Sequence, residues 1–579
     1  MHKVIAIWGL LAISILSYGQ EKILHIYDGK DTEYTEVQDE NEAELVLTKT
    51  MAAKRTQGYL AASADSIHYA ADTFYSFIEL GRKYTHLTLT SHDLTGDLLP
   101  RSDNITLRLS EFDRLQKQII STHENAGFPF VKVQLLEPEI TGDTLSARLK
   151  IYPYIQFVYD SLVYIGNAQI SKKYLSKYLQ LEEGKLYSEE SIKEIDKNLR
   201  NLPLVKINAS SQVIFFRGLV RVVLYIDDAV TDRVDGIVGL APNSNNRSNN
   251  DLLITGEVNV ELNNLFKSGK QLEIHWRNYL ENSQKLDLGL TFPYLFNTKI
   301  GVNGEFNLNK FDTNFVTLKS KLSLRYQQAG NNYIQFYYQN INSNLLSADT
   351  SAVRSLKRIP SNNPFNIDNY GLALYTRDLD YLPNPRKGYT LLADVAVGQK
   401  TVERNTQVNR VKFTDASTGQ LISIYDTMNL KSVRLDISVS TSFFIPIKKR
   451  GTIHQKLSFN GLFANQIFFN ELYNFGGFST LRGFDENEIF ASKVLSYTLE
   501  YRYLIGENSN VGLFVNTAAI ENTLQSSDLV YDTPYGFGLL ANIQVGRGIL
   551  NLAYALGTQQ GNAIQLNAAK FHFGVVNYF

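Results

Sequence analysis

Val316-Thr317-Leu318-Lys319-Ser320-Lys321-Leu322-Ser323-Leu324-Arg325-Tyr326 decides the fold of this chain. In an extended strand Val316, Leu318, Leu322, Leu324 and Tyr326 share one face, and Thr317, Lys319, Lys321 and Arg325 share the other. The pattern recurs on both sides. Leu252, Ile254, Val258, Val260 and Leu262 oppose Thr255, Glu257, Asn259 and Glu261, and Leu286, Leu288, Leu290 and Phe292 oppose Lys285, Asp287, Gly289 and Thr291. Further on, Val433, Leu435, Ile437 and Val439 oppose Arg434, Asp436, Ser438 and Ser440, and Leu495, Tyr497, Leu499, Tyr501 and Tyr503 oppose Ser496, Thr498, Glu500 and Arg502.

A soluble antiparallel sheet alternates too, but three features point to a membrane-spanning barrel. The polar faces carry charges over strands longer than soluble strands usually are. Tyr and Phe concentrate toward strand ends, as interfacial girdles require. Short connections (330–331, 446–451, 546–548) alternate with long polar ones (342–368, 400–430, 470–492). The pattern predicts a transmembrane antiparallel β-barrel of about sixteen strands over residues 231–579, an even number that leaves no open edge in lipid. The first strand, which contains Gly236 and Gly239, is expected to be short.

The bulk composition agrees. Hydrophobic residues make up 44% of the 579, yet mean hydropathy is only -0.18, as when every second strand residue faces lipid. With 58 acidic and 57 basic residues there is no overall basic field to attract nucleic acid. The absence of cysteine rules out disulfides, thiolate metal sites and a lipid-anchored N-terminal cysteine. No nucleophile elbow, phosphate-binding loop or metal-spaced histidine pair occurs, so no enzyme and no cofactor is expected. The start of the chain, with His2 and Lys3, an apolar run over 4–16, and small Ser17 and Gly19, reads as a signal peptide (residues 1–19) of an exported protein.

Residues 20–230 mix helical and strand periods. Residues 157–230 read as β-α-α-β-β: a strand over 157–165, a helix capped by Ser171, a break at Gly184, a helix from Ser188 with Ile192, Ile195 and Leu199 inward, then strands over 205–214 and 220–226. Residues 20–95 and 96–156 read as degenerate copies. The second has a helix with Phe112, Leu115 and Ile119 on one face, Ser110 as its cap and Gly127 as its stop.

On these residues the chain resembles the BamA/TamA superfamily of outer-membrane assembly and translocation proteins. The block 157–227, with Gly166-Asn167, Leu181, Gly184 and Tyr187, is similar to its periplasmic repeat, the POTRA domain. Gly256, Asn264-Leu265-Phe266 and Gly269 resemble its first hairpin and following turn, and Asp378, Asp380, Pro383, Pro385, Arg386 and Gly388 its mid-barrel turn. Most specific is Gly476-Gly477-Phe478-Ser479-Thr480-Leu481-Arg482-Gly483-Phe484, placed just before the last strands, which resembles the sixth external loop and its Arg-Gly-Phe/Tyr motif.

The resemblance implies a loop folded back into the barrel, with Arg482 of the motif Leu481, Arg482, Gly483 and Phe484 contacting Glu500 on the inner wall. Asn516 stands where the family has a second acid. A guanidinium's planar donor fork suits such acceptors. The last strand, with Phe571, Phe573, Gly574, Val575, Tyr578 and Phe579, is similar to the terminal signal by which barrels are recognised for insertion.

The function implied is an assembly or translocation factor of the outer membrane, with its POTRA arm in the periplasm. About three units make it most TamA-like. Unfolded outer-membrane or secreted clients would be its partners, together with outer-membrane lipid and room for a partner spanning the periplasm. Clients would pass a seam between the first and last strands, near 236–241 and 571–579. A two-partner secretion translocator is the sibling reading. A passive channel and a surface anchor are readings from other classes.

Overall fold

The computed structural model describes residues 22–577 apart from 30, 71–72, 91–103, 230, 243–251, 281–282, 349, 416–417, 486, 525–529 and 547; side chains at 235–242, 252–256, 279–280, 331, 352, 356, 530 and 575–577 are also outside the description. The signal peptide, Tyr578 and Phe579 lie outside the described residues, as does the side chain of Val575. The chain divides into two compact units. The first holds residues up to 159 together with 184–190 and 216–219; the second holds 160–183, 191–215 and 220–579.

In the first unit, β1 (Lys22–Tyr27), β2 (Thr32–Val37), α1 (Glu40–Thr56), β3 (Ser63–Ala64), β4 (His68–Ala70) and β5 (Thr73–Glu79) make a sheet ordered β2-β1-β5-β3, with β4 also paired to β5. Asp39 caps α1 by accepting the Glu42 N–H at 2.9 Å. One sheet face buries Leu24, Ile26, Phe74 and Ile78 against Ala43 and Met51 of the helix.

Next come β6 (His86–Thr90), β7 (Asn104–Arg108), α2 (Leu109–Asn125), β8 (Lys132–Thr141) and β9 (Thr144–Tyr152), in the sheet order β7-β6-β9-β8. Because β6 pairs with β9, the strand over 86–90 belongs to the second sheet, and the division between the copies falls before 86, not at 95/96. The cap expected at Ser110 is also corrected. The helix already begins at Leu109, because Glu111 accepts the Arg108 N–H at 3.2 Å and so satisfies the first turn two residues earlier. Gly127 follows the helix end with a φ of +96°.

The second unit opens with most of a third sheet, β10 (Val158–Ile165), β11 (Val205–Phe216) and β12 (Leu219–Asp228), ordered β10-β12-β11. Ser171 caps α3 (Lys172–Tyr178), accepting the Tyr174 N–H at 3.2 Å. The single helix expected from Ser188 is two pieces, α4 (Glu189–Lys193) and α5 (Ile195–Arg200), with Ile195 and Leu199 buried. At Gly166-Asn167 a Cβ on Gly166 would lie 2.1 Å from the Ile226 carbonyl oxygen. The Asn167 N–H, then the Asn208 amide, hold the Asp227 carboxyl below its usual range by hydrogen bonding it.

This sheet and its helices sit directly on the turns of the large barrel. Asn201 donates to the Leu379 carbonyl at 2.9 Å, Arg377 donates back to the Asn201 carbonyl at 2.9 Å, and Lys197 pairs with Asp378 at 2.5 Å. Tyr174 packs edge-on against Tyr294 at 5.5 Å, and a Cβ on Gly269 would lie 2.1 Å from its ring. Gly269 has a φ of +67°. Gly269→Ala therefore combines a left-handed non-glycine residue with overpacking and should cost about 2–4 kcal/mol, read as an earlier urea midpoint and faster proteolysis between the sheet and the barrel.

The barrel wall is one antiparallel sheet from Arg233–Pro242 to Lys570–Asn577. Among the described residues it has seventeen segments. Val530–Asp532 and Tyr535–Val545 both pair with Ser509–Asn522 and form one interrupted strand, which makes sixteen. The first strand is not short. It runs ten residues and pairs along its whole length with Leu252–Leu265, because Gly236 and Gly239 keep extended backbone.

Burial inverts the soluble pattern. Along Phe315–Gln327, Leu322, Leu324 and Tyr326 are more than half exposed while Thr317, Ser323 and Gln327 are buried. The same holds for Leu372, Val433, Leu513 and Leu539 outside against Arg434 and Phe514 inside. So extensive an apolar outer surface is stable only against hydrocarbon. No described helix is long and apolar enough to cross a membrane.

Candidate functional site

The motif loop is shaped by its own backbone bonds. Gly476 and Gly477 have φ of +120° and +93°, Thr480 Oγ1 both accepts the Gly476 N–H and donates to its carbonyl at 2.8 Å, and the Gly477 N–H donates to the Leu481 carbonyl at 3.1 Å. Leu481 and Phe484 are buried with Ile489, Val494, Ala518 and Ile520. Phe478 packs against Phe514, Leu540, Ala553 and Ala555 of the wall. The loop is thus held on the inner face by apolar side chains on both sides of Arg482.

Arg482 is buried, donates through Nη2 to Glu500, and with the same nitrogen donates to the Asn516 side-chain Oδ1 at 3.3 Å. Its guanidinium carbon sits 3.9 Å from the centre of the Phe514 ring. A cation over an aromatic face in a desolvated site compensates in part for the neutral Asn516. Glu500 serves more than Arg482. Arg502 reaches it at 2.5 and 2.7 Å, and His454 Nδ1 lies 3.0 Å away. A cavity of about 190 Å³ adjoins these groups. Sequence reasoning did not name His454, Arg502 or Phe514 as partners. The inward position of Arg502 was readable from the alternation of Leu499, Tyr501 and Tyr503 with Glu500 and Arg502, whereas those of His454 and Phe514, and the convergence of all three, depend on strand register.

The tip lies flush on two strand glycines. A Cβ on Gly536 would be 2.1 Å from the Arg482 carbonyl oxygen, and one on Gly557 would be 2.6 Å from that of Gly483. Gly536→Ala should leave the wall intact yet lift the tip, exposing 476–485 to protease in the folded barrel; an unchanged digestion pattern would show that the tip does not rest there. The tip also reaches the last strand. The Gly483 N–H donates to His572 Nε2 at 3.3 Å, and Lys570 pairs with Asp485 at 2.8 Å. On that strand Phe571 and Phe573 point outward and are about two-thirds exposed, and Gly574 lies opposite Asn551, on the face of Lys570 and His572.

The root of the same loop is pinned by a second charged cluster that the sequence reading missed. Fully buried Lys400 donates to Glu471 and, at 2.9 Å, to the Gln466 carbonyl. Arg434 donates to the other Glu471 oxygen at 3.0 Å and to Asp436 at 2.9 Å. Nothing in the local pattern around Glu471 marks it, since its partners lie about forty and seventy residues earlier.

The mid-barrel turn is organised by Asp380, whose Oδ1 accepts the N–H groups of Tyr381, Arg386 and Lys387 at 3.0–3.1 Å. A Cβ on Gly388 would lie 1.8 Å from the Asp378 carbonyl oxygen.

Fold and site together define a β-barrel with an inward-docked loop, preceded by small α+β sheets. Solved structures resemble this chain in fold. CdiB from Escherichia coli superposes with a TM-score of 0.50 at 13% identity, covering 92% of this chain and 96% of that one. CdiB from Acinetobacter baumannii gives 0.45 at 12% identity over 81% and 79% of the two chains. BamA from Haemophilus ducreyi lacking POTRA domains 1–3 gives 0.41 at 15% over 82% and 94%. No protein-family model matches the sequence, and no curated protein matches it. The likeness is one of fold, and the Escherichia coli CdiB structure carries it over nearly the whole chain.

Proposed function

We propose that this chain is an outer-membrane insertion or translocation factor, TamA-like in having three N-terminal units, and that it catalyses no covalent reaction. The three α+β sheets act as POTRA domains in the periplasm. They receive unfolded client proteins by adding a client strand to a sheet edge, and the barrel passes clients to the membrane or across it at the seam between its first and last strands. The observation that carries this reading is the motif loop docked on the inner wall, with its tip bonded to the last strand through His572 and Lys570. A barrel that only conducts solutes has no use for a loop tied to its closing strand.

The end that carries the long loops argues against a passive pore as well. Val353, Ile359, Val408, Ile424, Tyr425 and Phe468, all from those loops, form one buried cluster with strand-end residues. The Tyr425 hydroxyl donates to Asn363 at 3.2 Å, and Asn470 donates to the Asn363 carbonyl at 2.9 Å.

Depletion of the protein followed by quantitative profiling of the outer membrane and medium tests the proposal. The expected result is selective loss of a subset of barrels or secreted proteins with general porins intact. Loss of one secreted protein alone identifies the two-partner type of translocator. An unchanged profile with altered small-solute permeability overturns the proposal in favour of a channel.

A further inference from the structure

The first sheet buries one face under α1 and leaves the other open, and the open face is aromatic. Register sets Tyr34, His25, Tyr75 and His68 side by side across β2, β1, β5 and β4, and Tyr27 beside Phe77 in the next row. His25 meets Tyr34 edge-on at 4.6 Å and Tyr75 at 5.1 Å, and the rings of Tyr27 and Phe77 are 5.6 Å apart. Tyr34 is 67% exposed, and Ile23, Tyr27, Tyr75 and Phe77 are 42–44% exposed. A contiguous apolar patch on a small polar domain marks an interaction surface.

The chemistry around it selects the partner. Residues 22–79 contain eleven acidic and five basic residues, a formal charge of -6 in a chain whose total is -1. Among the described residues the face itself offers Glu36 and Glu79 at its margins and no lysine or arginine. Within it lies a depression of about 360 Å³ walled by His25, Tyr27, Tyr75 and Phe77, with Asp65 and Thr32 also lining it. Ring faces beside a carboxylate in an acidic field are what a guanidinium or ammonium seeks: stacking on the rings, attraction to the carboxylate, and long-range steering toward both.

We propose that this face is the docking site for an extended, arginine- or lysine-rich segment of a partner protein, one cationic side chain of which enters the depression between Tyr75 and Tyr27 beside Asp65. The surface is complete within the first sheet and does not depend on how the barrel works.

The test uses the full chain in detergent micelles and three fluorescein-labelled twelve-residue peptides of identical apolar content, carrying four Arg, four Gln or four Glu, read by fluorescence anisotropy. The Arg peptide should bind about tenfold tighter than the Gln peptide, with the Glu peptide weakest. The preference should shrink as salt is raised. Asp65→Asn should remove most of the Arg preference while leaving Gln-peptide binding unchanged. Tyr34→Ser with Tyr75→Ser, both at exposed positions, should weaken all binding about tenfold. Equal affinity for the three peptides, no binding by any, or an Arg preference that survives both variants overturns the proposal.

Discussion

Replacing Glu471 with alanine should cost the folded barrel about 3–5 kcal/mol, because it strands two buried cations at once. Lys400 is fully buried and its remaining acceptor is the neutral Gln466 carbonyl, while Arg434 keeps only Asp436. The Glu471 carboxylate also accepts the Phe468 N–H at 2.9 Å, so its loss frees a backbone donor inside the buried loop cluster. The measurement is the urea midpoint of the heat-modifiable band on electrophoresis, joined to protease access at 470–492. Lys400→Met with Glu471→Leu should recover only part of that loss, since it removes the desolvation cost of Lys400 but leaves Arg434 with Asp436 and the Phe468 N–H without its carboxylate. If Glu471→Ala alone costs under about 1 kcal/mol, the size of an exposed pair, the root of the loop is held by its apolar cluster and the charges are incidental.

How much of this was legible beforehand depends on the range of the signal. Strand alternation is local, and Val316 through Tyr326 announces both the wall and its inverted faces. The glycine-rich motif around Arg482 is local as well, and its placement before the last strands pointed to Glu500 and Asn516. What could not be read locally is convergence. Lys400, Arg434 and Glu471 come from two strands and a loop, and only register and loop closure bring them together. The flush seat at Gly536 and Gly557 is invisible for the same reason: a strand glycine signals a close approach but not what approaches. Boundaries failed where one side chain shifted them, as Glu111 did for the cap expected at Ser110. They failed again where a strand pairs across a helix, as at His86–Thr90. The supposed weakness of the first strand came from counting its glycines, whereas in-register pairing at every position sets its length.

Glu500→Gln should prove more damaging than Arg482→Ala, although the motif centres on the arginine. Removing Arg482 leaves Glu500 with Arg502 and His454, so no charge is stranded, and the loss is the stack on Phe514 and one charge-assisted bond, about 1–3 kcal/mol. Neutralising Glu500 leaves Arg482 and Arg502 confined together with only neutral acceptors and the cation Lys456 nearby, at about 3–5 kcal/mol. Asn516→Asp should act in the opposite sense by supplying a second carboxylate to the same guanidinium, and should partly restore Glu500→Gln. A double-mutant cycle on 500 and 516 measures that coupling. Because the tip is bonded to His572 and paired with Lys570, undocking it should also release the last strand. Amide exchange along Lys570–Asn577 should therefore rise in Glu500→Gln, rise less in Arg482→Ala, and return toward the parent when Asn516→Asp is added. Equal stability losses in the two single variants would show that Glu500 serves only Arg482. Unchanged exchange in the last strand would separate loop docking from the seam and remove the structural support for gating by this loop.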